Sequence, residues 1–371
     1  MCAINGFNYK DLNLIKKMST LTSSRGPDNE GFYSSENYTV AHNRLSIIDP
    51  EIRSNQPFHF KNYILSFNGE IYNYIDLKNS LIKSGYKFET KSDTEVLIKL
   101  FDFEGVSCFK KLSGIFAISI YDTNVKKLYL IRDAVGVKPL YYHYKPSSKK
   151  FIYSSLIKSL LLSLNKKKLS EKALISYSNF NRNDYRETFF QDIYKVLPGE
   201  LIEVSNGKYK REKLIKFEFK NIDKNHNYLN QINYYFSKQF VSDVPVALSL
   251  SGGIDSNIIF HELLKSKGTQ FTNYSVFFKD SAKYSQDYEV AKNISKTYGV
   301  KLNSIEVSAK DFIENAEKIV DIVEEPTGNT NSISNYILSQ NISEKVLFSG
   351  DGGDEVFTGY NRYKSIYIVS L

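Results

Sequence analysis

The chain has 371 residues, of which 42% are hydrophobic and 24% charged, and its formal net charge is +8. This composition is typical of globular proteins and excludes the low-hydrophobicity pattern of disordered chains, while the length predicts two domains. No apolar run approaches the roughly 20 residues that cross a bilayer, and no hydrophobic signal segment opens the chain. We therefore expect a cytoplasmic protein without a membrane partner.

The lysines and the two cysteines exclude two further classes of protein. The lysines are scattered among Asn, Ser and Tyr, which favours a solvated basic surface and no nucleic-acid partner. A non-catalytic basic binding protein stays the distant alternative. Only Cys2 and Cys108 are present, so no disulfide framework is expected, and Cys108 lies in VSCFKKLSGIF, a segment with the pattern of a core.

Short strands separated by turns fill the first two hundred residues. In FAISIYDTNVKKLYLIRD the apolar positions alternate on both sides of a turn at 122–124, which predicts antiparallel sheet. Two helices stand out from this pattern. Ser92 can cap the first, with Glu95 three residues later, and the second covers Leu169–Tyr177. After Gly199, ELIEVSNGKYKREKL predicts a hairpin.

The pattern changes after a polar stretch that has the composition of a linker. We predict a first domain over 1–213, a linker over 214–227 and a second domain over 228–371. In the second domain strands alternate with helices, which predicts a parallel sheet with crossover helices. The predicted strands are VPVALSL, TNYSVFF, LNSIEV and KVLFS, and the predicted helices cover about 255–267, 286–298 and 310–323.

A glycine turn joins the first predicted strand of this second domain to its helix. In LSLSGGIDSN, Gly252 and Gly253 let backbone amides approach an anion at the start of the helix. The endings of a Walker loop and of a dinucleotide fingerprint are both missing. SGG alone is also compatible with a tight turn. Asp255 is placed to hold Mg²⁺ against phosphate oxygens, with helix capping as its structural alternative.

A second glycine-rich loop, FSGDGGDEVFTGYNRY, follows the strand KVLFS and carries carboxylates. Asp351, Asp354 and Glu355 could belong to a simple turn, but they lack the spacing of an EF-hand. If this loop lies opposite the SGGIDS loop, Asp354 supplies a second ligand to the same Mg²⁺.

The cysteine directly after the initiator methionine predicts an N-terminal nucleophile. Once Met1 is removed, the α-amine of Cys2 lies beside its own thiol and can act as the general base. The structural alternative is a small side chain that packs in a strand. The neighbouring motifs decide between the two.

Five motifs match, in order, those of class II glutamine amidotransferases. They are RGPD at 25–28, HNRLSIID at 42–49, NGEIYNY at 68–74, SDTEVL at 92–97 and RDAVGVKPLYY at 132–142. The SGGxDS pattern resembles the pyrophosphate loop of the ATP pyrophosphatases, and the acidic loop is very similar to one in asparagine synthetases. The whole chain therefore resembles the glutamine-hydrolysing asparagine synthetase family.

The resemblance implies an architecture. The first domain is expected to be an α+β, N-terminal nucleophile hydrolase-like sandwich of antiparallel sheets. The second is expected to be an α/β parallel-sheet ATP-pyrophosphatase domain that is incomplete at its C-terminal end. As given, the chain should therefore hydrolyse glutamine without completing amide synthesis, and its second domain should pack loosely.

The same resemblance implies roles in glutamine binding. Arg44 pairs with the α-carboxylate of glutamine, for which a guanidinium fork is geometrically suited. Glu70 and Asp93 hold the α-amine, and Leu45 and Ile47 complete the substrate site.

The catalytic set implied by the resemblance is Cys2, Asn68 and Gly69. Asn68 and Gly69 form the oxyanion hole, with one side-chain amide and one backbone N–H. Asn-Gly is also a common hairpin pair, so the two residues could form a turn, a hole or both. Ala3 stands where many family members have glycine, which puts backbone access to the site only mildly in question. Cys2 itself argues against the related β-lactam-forming synthetases.

For the second domain the resemblance implies ATP and Mg²⁺ as cofactors. The expected ATP-binding residues are Leu250, Ser251, Gly252, Gly253, Asp255, Ser256, Val276, Ser349 and Gly350, and the expected metal ligands are Asp255 and Asp354. The implied reaction is glutamine-dependent synthesis of asparagine from aspartate. The alternative is amidation of another carboxylate, such as a sugar acid or a peptide. The segment 324–336 is expected to line the acceptor pocket, and a homodimer stays open.

Overall fold

A computed structural model of the chain describes residues 1–216, 228–278, 282–326, 331–361 and 363. The chain divides into two compact units, Met1–Lys224 and Asn225–Leu371. Most of the predicted linker, 217–227, lies outside the described residues, so the predicted domain limits stay a prediction. Residues 327–330 of the predicted acceptor segment and 364–371 at the chain end lie outside them as well.

The first unit is built from two six-stranded sheets. Its strands are β1 (Ala3–Phe7), β2 (Asn29–Ser35), β3 (Tyr38–Arg44), β4 (Phe58–Phe60), β5 (Tyr63–Ile71), β6 (Gly114–Asp122), β7 (Lys127–Arg132), β8 (Tyr141–Lys145), β9 (Lys150–Ser154), β10 (Ile193–Lys195), β11 (Glu200–Ser205) and β12 (Lys208–Lys213). The first sheet has the order β10-β8-β9-β1-β3-β2, the second has the order β12-β11-β7-β6-β5-β4, and every pairing is antiparallel.

One hydrophobic core joins the inner faces of the two sheets. Within it Tyr38 of β3 stacks on Tyr121 of β6, with ring centroids 4.3 Å apart. Alternating apolar residues give each strand one face for this core, and burial of that apolar area is the main stabilising term. The predicted sandwich of antiparallel sheets is therefore confirmed.

Helices cover the outer faces of this sandwich. The helices of the unit are α1 (Leu12–Thr22), α2 (Tyr74–Lys83), α3 (Asp93–Glu104), α4 (Ile157–Leu161) and α5 (Glu171–Phe180). Met18 of α1 and Leu160 of α4 pack in a second core on the first sheet. Phe101 of α3 packs edge-on against Tyr63 and Tyr129, with centroid distances of 5.3 and 5.2 Å, on the second sheet.

Most of the local elements that the sequence predicts for the first unit are present in the structure. Ser92 caps α3 and accepts from Thr94 N, but Glu95 does not complete a capping box. Its carboxylate instead accepts from the amides of Glu89 and Thr90, and it pairs with buried Lys99. The predicted hairpin after Gly199 is β11–β12, and the predicted helix over Leu169–Tyr177 is α5, which begins at Glu171.

The second unit has the predicted parallel sheet. Its strands are β13 (Val246–Ser249), β14 (Thr272–Phe278), β15 (Leu302–Val307) and β16 (Val346–Phe348), in the order β15-β14-β13-β16. Its helices are α6 (Tyr228–Gln239), α7 (Ile254–Lys267), α8 (Ala282–Tyr298), α9 (Ala309–Val323), α10 (Asn331–Asn341) and α11 (Gly353–Phe357). The sequence pattern did not predict α6, α10 or α11.

The sheet order sets the position of both glycine-rich loops. β13 and β16 are parallel neighbours, with Leu248 opposite Phe348, so the loops that follow them leave the same edge of the sheet. Buried Phe260 and Leu263 hold α7 in the core beside β13. No helix within the described ranges is long and apolar enough to cross a membrane.

Candidate active sites

Cys2 directly precedes β1, and its thiol contacts Leu45, the residue directly after β3. The amide of Leu45 donates to Cys2 Sγ at 3.4 Å, and the Leu45 carbonyl oxygen lies 3.7 Å from the same sulfur. Arg25 Nε donates to the Cys2 carbonyl at 3.2 Å. Burial raises the pKa of the Cys2 thiol, and the Leu45 amide, the terminal amine and the cations Arg44 and Lys138 act in the opposite direction.

The chain terminus is partly shielded from solvent by the same surroundings. Burial, together with the positive charges of Arg25 and Lys138, lowers the pKa of the Met1 amine to about 6. The structure therefore provides a place beside Cys2 in which an amine is neutral near pH 7.

Arg44 is buried at the end of β3, inside a set of acceptors that residues 48–55 provide. Its Nη1 donates to the Glu51 carbonyl at 3.0 Å and to Asn55 Oδ1 at 2.7 Å. Its Nη2 donates to the carbonyls of Ile48 and Asp49 at 3.2 and 2.6 Å. The guanidinium thus folds the 45–55 segment around itself. Burial raises the pKa values of Cys2 and Asp93, and the charge of Arg44 opposes that rise in both groups.

Leu45 and Ile47 are half-buried in the segment that Arg44 organises. Leu45 contacts the Cys2 sulfur through its backbone amide. The role of Ile47 in substrate binding stays a prediction. The carboxylate of Asp49 fixes this segment further, because it accepts from Arg53, from Ser54 Oγ and from the Lys91 amide just before α3. Sequence reasoning missed Asp49 and Asn55 as supports, although Asp49 closes the motif HNRLSIID.

Asn68 and Gly69 lie within strand β5, so the hairpin-turn interpretation of this pair is wrong. They pair with Ala117 and Phe116 of β6. Gly69 has φ +152°, and a Cβ there would overlap the Ile115 carbonyl oxygen, so only glycine fits. The Asn68 side chain is 1% exposed, and neither its Nδ2 nor its Oδ1 has a hydrogen-bond partner.

The strands that carry these groups touch across the sandwich. β5 contacts both β1 and β3, and His42 Nε2 donates to the Phe67 carbonyl at 3.0 Å. Buried groups usually have partners, so an unpaired amide such as that of Asn68 indicates a site that awaits a ligand or water. The structure thus brings Cys2, Arg44 and Asn68 to one region of the first unit.

Glu70 and Asp93 form an acidic pair next to this region. Burial raises the pKa of Glu70 to about 7, and the charge of Asp93 raises it as well. Burial also raises the pKa of Asp93 to about 6, although Asp93 accepts from the Ile71 amide at 3.1 Å. Two carboxylates in this setting attract a cationic group.

The predicted phosphate loop follows β13 and leads into α7. Gly252 has φ +88°, and a Cβ on it would overlap the Asp287 carbonyl oxygen, which explains the glycine. Ser251 Oγ accepts from the Gly253 amide at 3.3 Å and lies 3.0 Å from Ser256 Oγ. These contacts form a rigid turn at a helix N-terminus, where anions bind favourably.

The acidic loop meets the phosphate loop through its glycines. A Cβ on Gly353 would lie 2.5 Å from Asp255 Oδ2, and one on Gly350 would lie 3.0 Å from Asp255 Cβ. Side chains there would push the loops apart. Asp255 and Asp354 both line a cavity of about 870 Å³.

The carboxylates in this cavity fit a magnesium ion that phosphate oxygens complete. No group of three or more potential ligands lies together in the part of the chain that the structure describes. Mg²⁺ commonly binds through one or two carboxylates together with water and substrate phosphates, so two aspartates suit such an ion. Its binding stays a proposal.

Six of the nine predicted ATP-binding residues line this cavity: Ser251, Gly253, Asp255, Ser256, Ser349 and Gly350. Leu250, Gly252 and Val276 do not. The Leu250 side chain is fully buried in the core, and Val276 packs against the other core of the unit. Asn335 of α10, within the predicted acceptor segment, does line the cavity. The sequence analysis did not single out Phe357 and Gly359 there, since they follow the carboxylates of the acidic loop without a chemical signal.

Comparisons with known proteins match the two parts of the chain to two different family models. A model described as a glutamine amidotransferase domain matches residues 1–215, and one described as asparagine synthase matches residues 233–370. Glutamine-hydrolyzing asparagine synthetase 1 of Bacillus subtilis is 33% identical over 95% of this chain and 56% of its own length. A Methanocaldococcus jannaschii protein, provisionally named a glutamine-hydrolyzing asparagine synthetase, is 30% identical over 100% of this chain and 78% of its own length.

A relative with another name covers nearly as much of the sequence. Amidase chry2 of Gibberella zeae is 29% identical over 98% of this chain and 57% of its own length. The chain thus spans little more than half the length of two of these three relatives. The domain match over more than half of the chain, together with the M. jannaschii relative, places the chain in the family of glutamine-hydrolysing asparagine synthetases.

Proposed function

We propose that the protein hydrolyses glutamine in its first unit and uses the ammonia for ATP-dependent amidation of aspartate in the second. The observation that carries this proposal is the buried, unpartnered amide of Asn68, on a strand that contacts the strand following Cys2. A hydrogen-bond donor without a partner at this position suits an oxyanion that exists only during the reaction.

The glutaminase half begins with attack of the Cys2 thiol on the side-chain amide of glutamine. The α-amine of Cys2 takes the thiol proton and delivers it to the departing ammonia, and water then releases glutamate from the thioester. Asn68 and the Gly69 N–H stabilise the tetrahedral oxygen. Arg44, whose Nη groups already donate to four protein acceptors, attracts the α-carboxylate by its charge, while Glu70 and Asp93 bind the α-ammonium.

The synthetase half transfers AMP from ATP to the side-chain carboxylate of aspartate and releases pyrophosphate. The amides of the Ser251 to Gly253 loop hold the pyrophosphate portion of ATP at the start of α7, and Asp255 and Asp354 hold Mg²⁺. When bound, the ion neutralises charge on the phosphate oxygens. Ammonia displaces AMP from the aspartyl adenylate and forms asparagine.

A second candidate function keeps this chemistry and changes the acceptor. Its support is the amidase name of the Gibberella zeae relative. The deciding experiment incubates the complete protein with ATP, Mg²⁺, glutamine and a panel of acids that contains aspartate, sugar acids and peptides. Mass spectrometry then identifies the amide. Asparagine as the main product supports the first proposal, and another amide supports the second.

Cys2→Ala should abolish glutamine hydrolysis, because no other described cysteine near the site can replace the nucleophile. Cys108 is fully buried, and burial raises its thiol pKa strongly. Glutamate release measures the effect, and Cys108→Ala serves as the matched control that keeps activity. Glutamate release by Cys2→Ala at the unmodified rate would remove the nucleophile assignment.

Arg44→Lys should raise KM for glutamine about tenfold or more, because an ammonium cannot reproduce a fork that also binds the carbonyls of Ile48 and Asp49. Arg53→Lys is the matched control, since Arg53 lies in the same segment and is half-exposed. Steady-state glutaminase kinetics provide the measurement. An equal KM for both variants would leave Arg44 with a structural role only.

Glutamine binding should strengthen as pH rises towards about 7, because the raised pKa of Glu70 leaves its carboxyl neutral at lower pH. Only the ionised form attracts an α-ammonium, so Kd should fall up to about tenfold per pH unit below the pKa and level off above it. Calorimetry on Cys2→Ala avoids titration of the nucleophile. Adding Glu70→Gln should leave only a weaker dependence near pH 6, from Asp93. A Kd that is constant between pH 5.5 and 8 would contradict the role of Glu70.

Asp255→Asn should remove the Mg²⁺-dependent part of ATP binding, because one of the two proposed Mg²⁺ ligands is lost. We expect ATP affinity in Mg²⁺ to fall about tenfold, without change in EDTA and without loss of glutaminase activity. Glu262→Gln, on the same helix and paired with Lys265 at the surface, is the control. Equal losses with and without Mg²⁺ would assign Asp255 to the loop structure instead.

A further inference from the structure

The loop after β7 is held rigidly by a single buried carboxylate. Asp133 is fully buried and accepts hydrogen bonds from five backbone amides. The donors are the amides of Phe116, Val135, Gly136, Val137 and Lys138, at 2.6 to 3.1 Å. Bonds of this kind to a charged acceptor contribute more than neutral ones. The backbone of residues 135–138 is therefore fixed relative to β6.

The Arg132 guanidinium holds the same loop by donating hydrogen bonds to carbonyl oxygens of the loop. It donates to the carbonyls of Gly136, Lys138 and Val196 at 2.5, 2.7 and 2.8 Å. The peptide group that carries Lys138 is thus held on both sides. A lysine that only adds surface charge does not need such backbone support. The neighbours of the Lys138 side chain indicate what this support is for.

The Lys138 ammonium lies beside the N-terminal residue of the chain. Its Nζ is 3.2 Å from Met1 Sδ. The titratable groups that act electrostatically on it are Glu70, Arg25, Cys2 and Asp133. Burial lowers the pKa of Lys138, and the negative groups counteract that effect. Asp28 acts on the terminal amine, and Arg44 acts on the thiol.

We propose that Lys138 is a positioning residue for the glutaminase reaction: its charge keeps the resting α-amine free of a solvent proton and stabilises the thiolate that forms when that amine takes the thiol proton. The inference rests on the proposed function of the first unit. A cation next to both groups favours the anion over the thiol and the amine over the ammonium. In the step itself the proton passes from Cys2 Sγ to the α-amine, and Lys138 keeps its own protons.

The test is the pH dependence of Cys2 alkylation in the full chain with Cys2 as its first residue, verified by intact mass. Iodoacetamide reports the thiolate without glutamine. Lys138→Met should move the midpoint upward by about 0.5 to 1 pH unit and lower kcat at pH 7 about three- to tenfold. Lys138→Gln should move it in the same direction, whereas Lys138→Arg should stay within about 0.3 unit of the unmodified protein.

Lys208→Met is the matched control for the loss of one positive charge, since Lys208 is exposed on β12. An unmoved midpoint in both neutral variants would overturn the proposal, and so would an equal shift in Lys208→Met. A raised KM with an unmoved midpoint would assign Lys138 to Glu70 and glutamine binding instead. If the unmodified protein does not hydrolyse glutamine, the proposed function fails, yet the alkylation midpoints still decide the role of Lys138.

Discussion

The geometry of the first unit depends on the hydrogen bonds that the buried carboxylate of Asp133 accepts. It accepts from the Phe116 amide, and the Asp133 amide donates to the Phe116 carbonyl, so β6 and the following loop form one body. Phe116 is also the partner of Gly69 in β5. One buried charge therefore sets the position of the strand that carries Asn68 and of the loop that carries Lys138. A buried charge is tolerated only when it is fully hydrogen-bonded, and five amides meet that condition.

The second unit reaches its geometry through close packing instead of charge. Gly350 and Gly353 let the acidic loop lie against Asp255, and Gly252 lets the phosphate loop pass α8 at its Asp287 carbonyl. Any side chain at these positions would separate loops that must share a ligand. The parallel pairing of β13 and β16 brings the two loops to one edge, so the contact follows from topology and the glycines complete it.

The sequence predicted what local patterns determine. Strand alternation, the Ser92 cap and the hairpin after Gly199 depend on residues close in the chain, and they agree with the structure. Asn68 and Gly69 show the limit, because their local signal favours a turn while pairing along nine residues of β6 keeps them extended. The acceptors of Arg44 and the neighbours of Lys138 were not predictable. The acceptors of Arg44 lie close in the chain but are mostly backbone carbonyls, which no residue pattern marks, whereas the neighbours of Lys138 come from segments that only tertiary packing brings together.

The unpartnered Asn68 amide is costly for the free protein, since a buried polar group without a partner typically costs about 1 to 3 kcal/mol. The neighbouring Glu70 is held near neutrality by burial and by Asp93. Both features destabilise the protein that has no ligand bound. A ligand would relieve them if it carried an oxygen that accepts from the Asn68 amide and a cation that pairs with the carboxylates. Glutamine carries both groups. If it binds as proposed, part of its affinity comes from removing unfavourable interactions that the fold maintains in its absence.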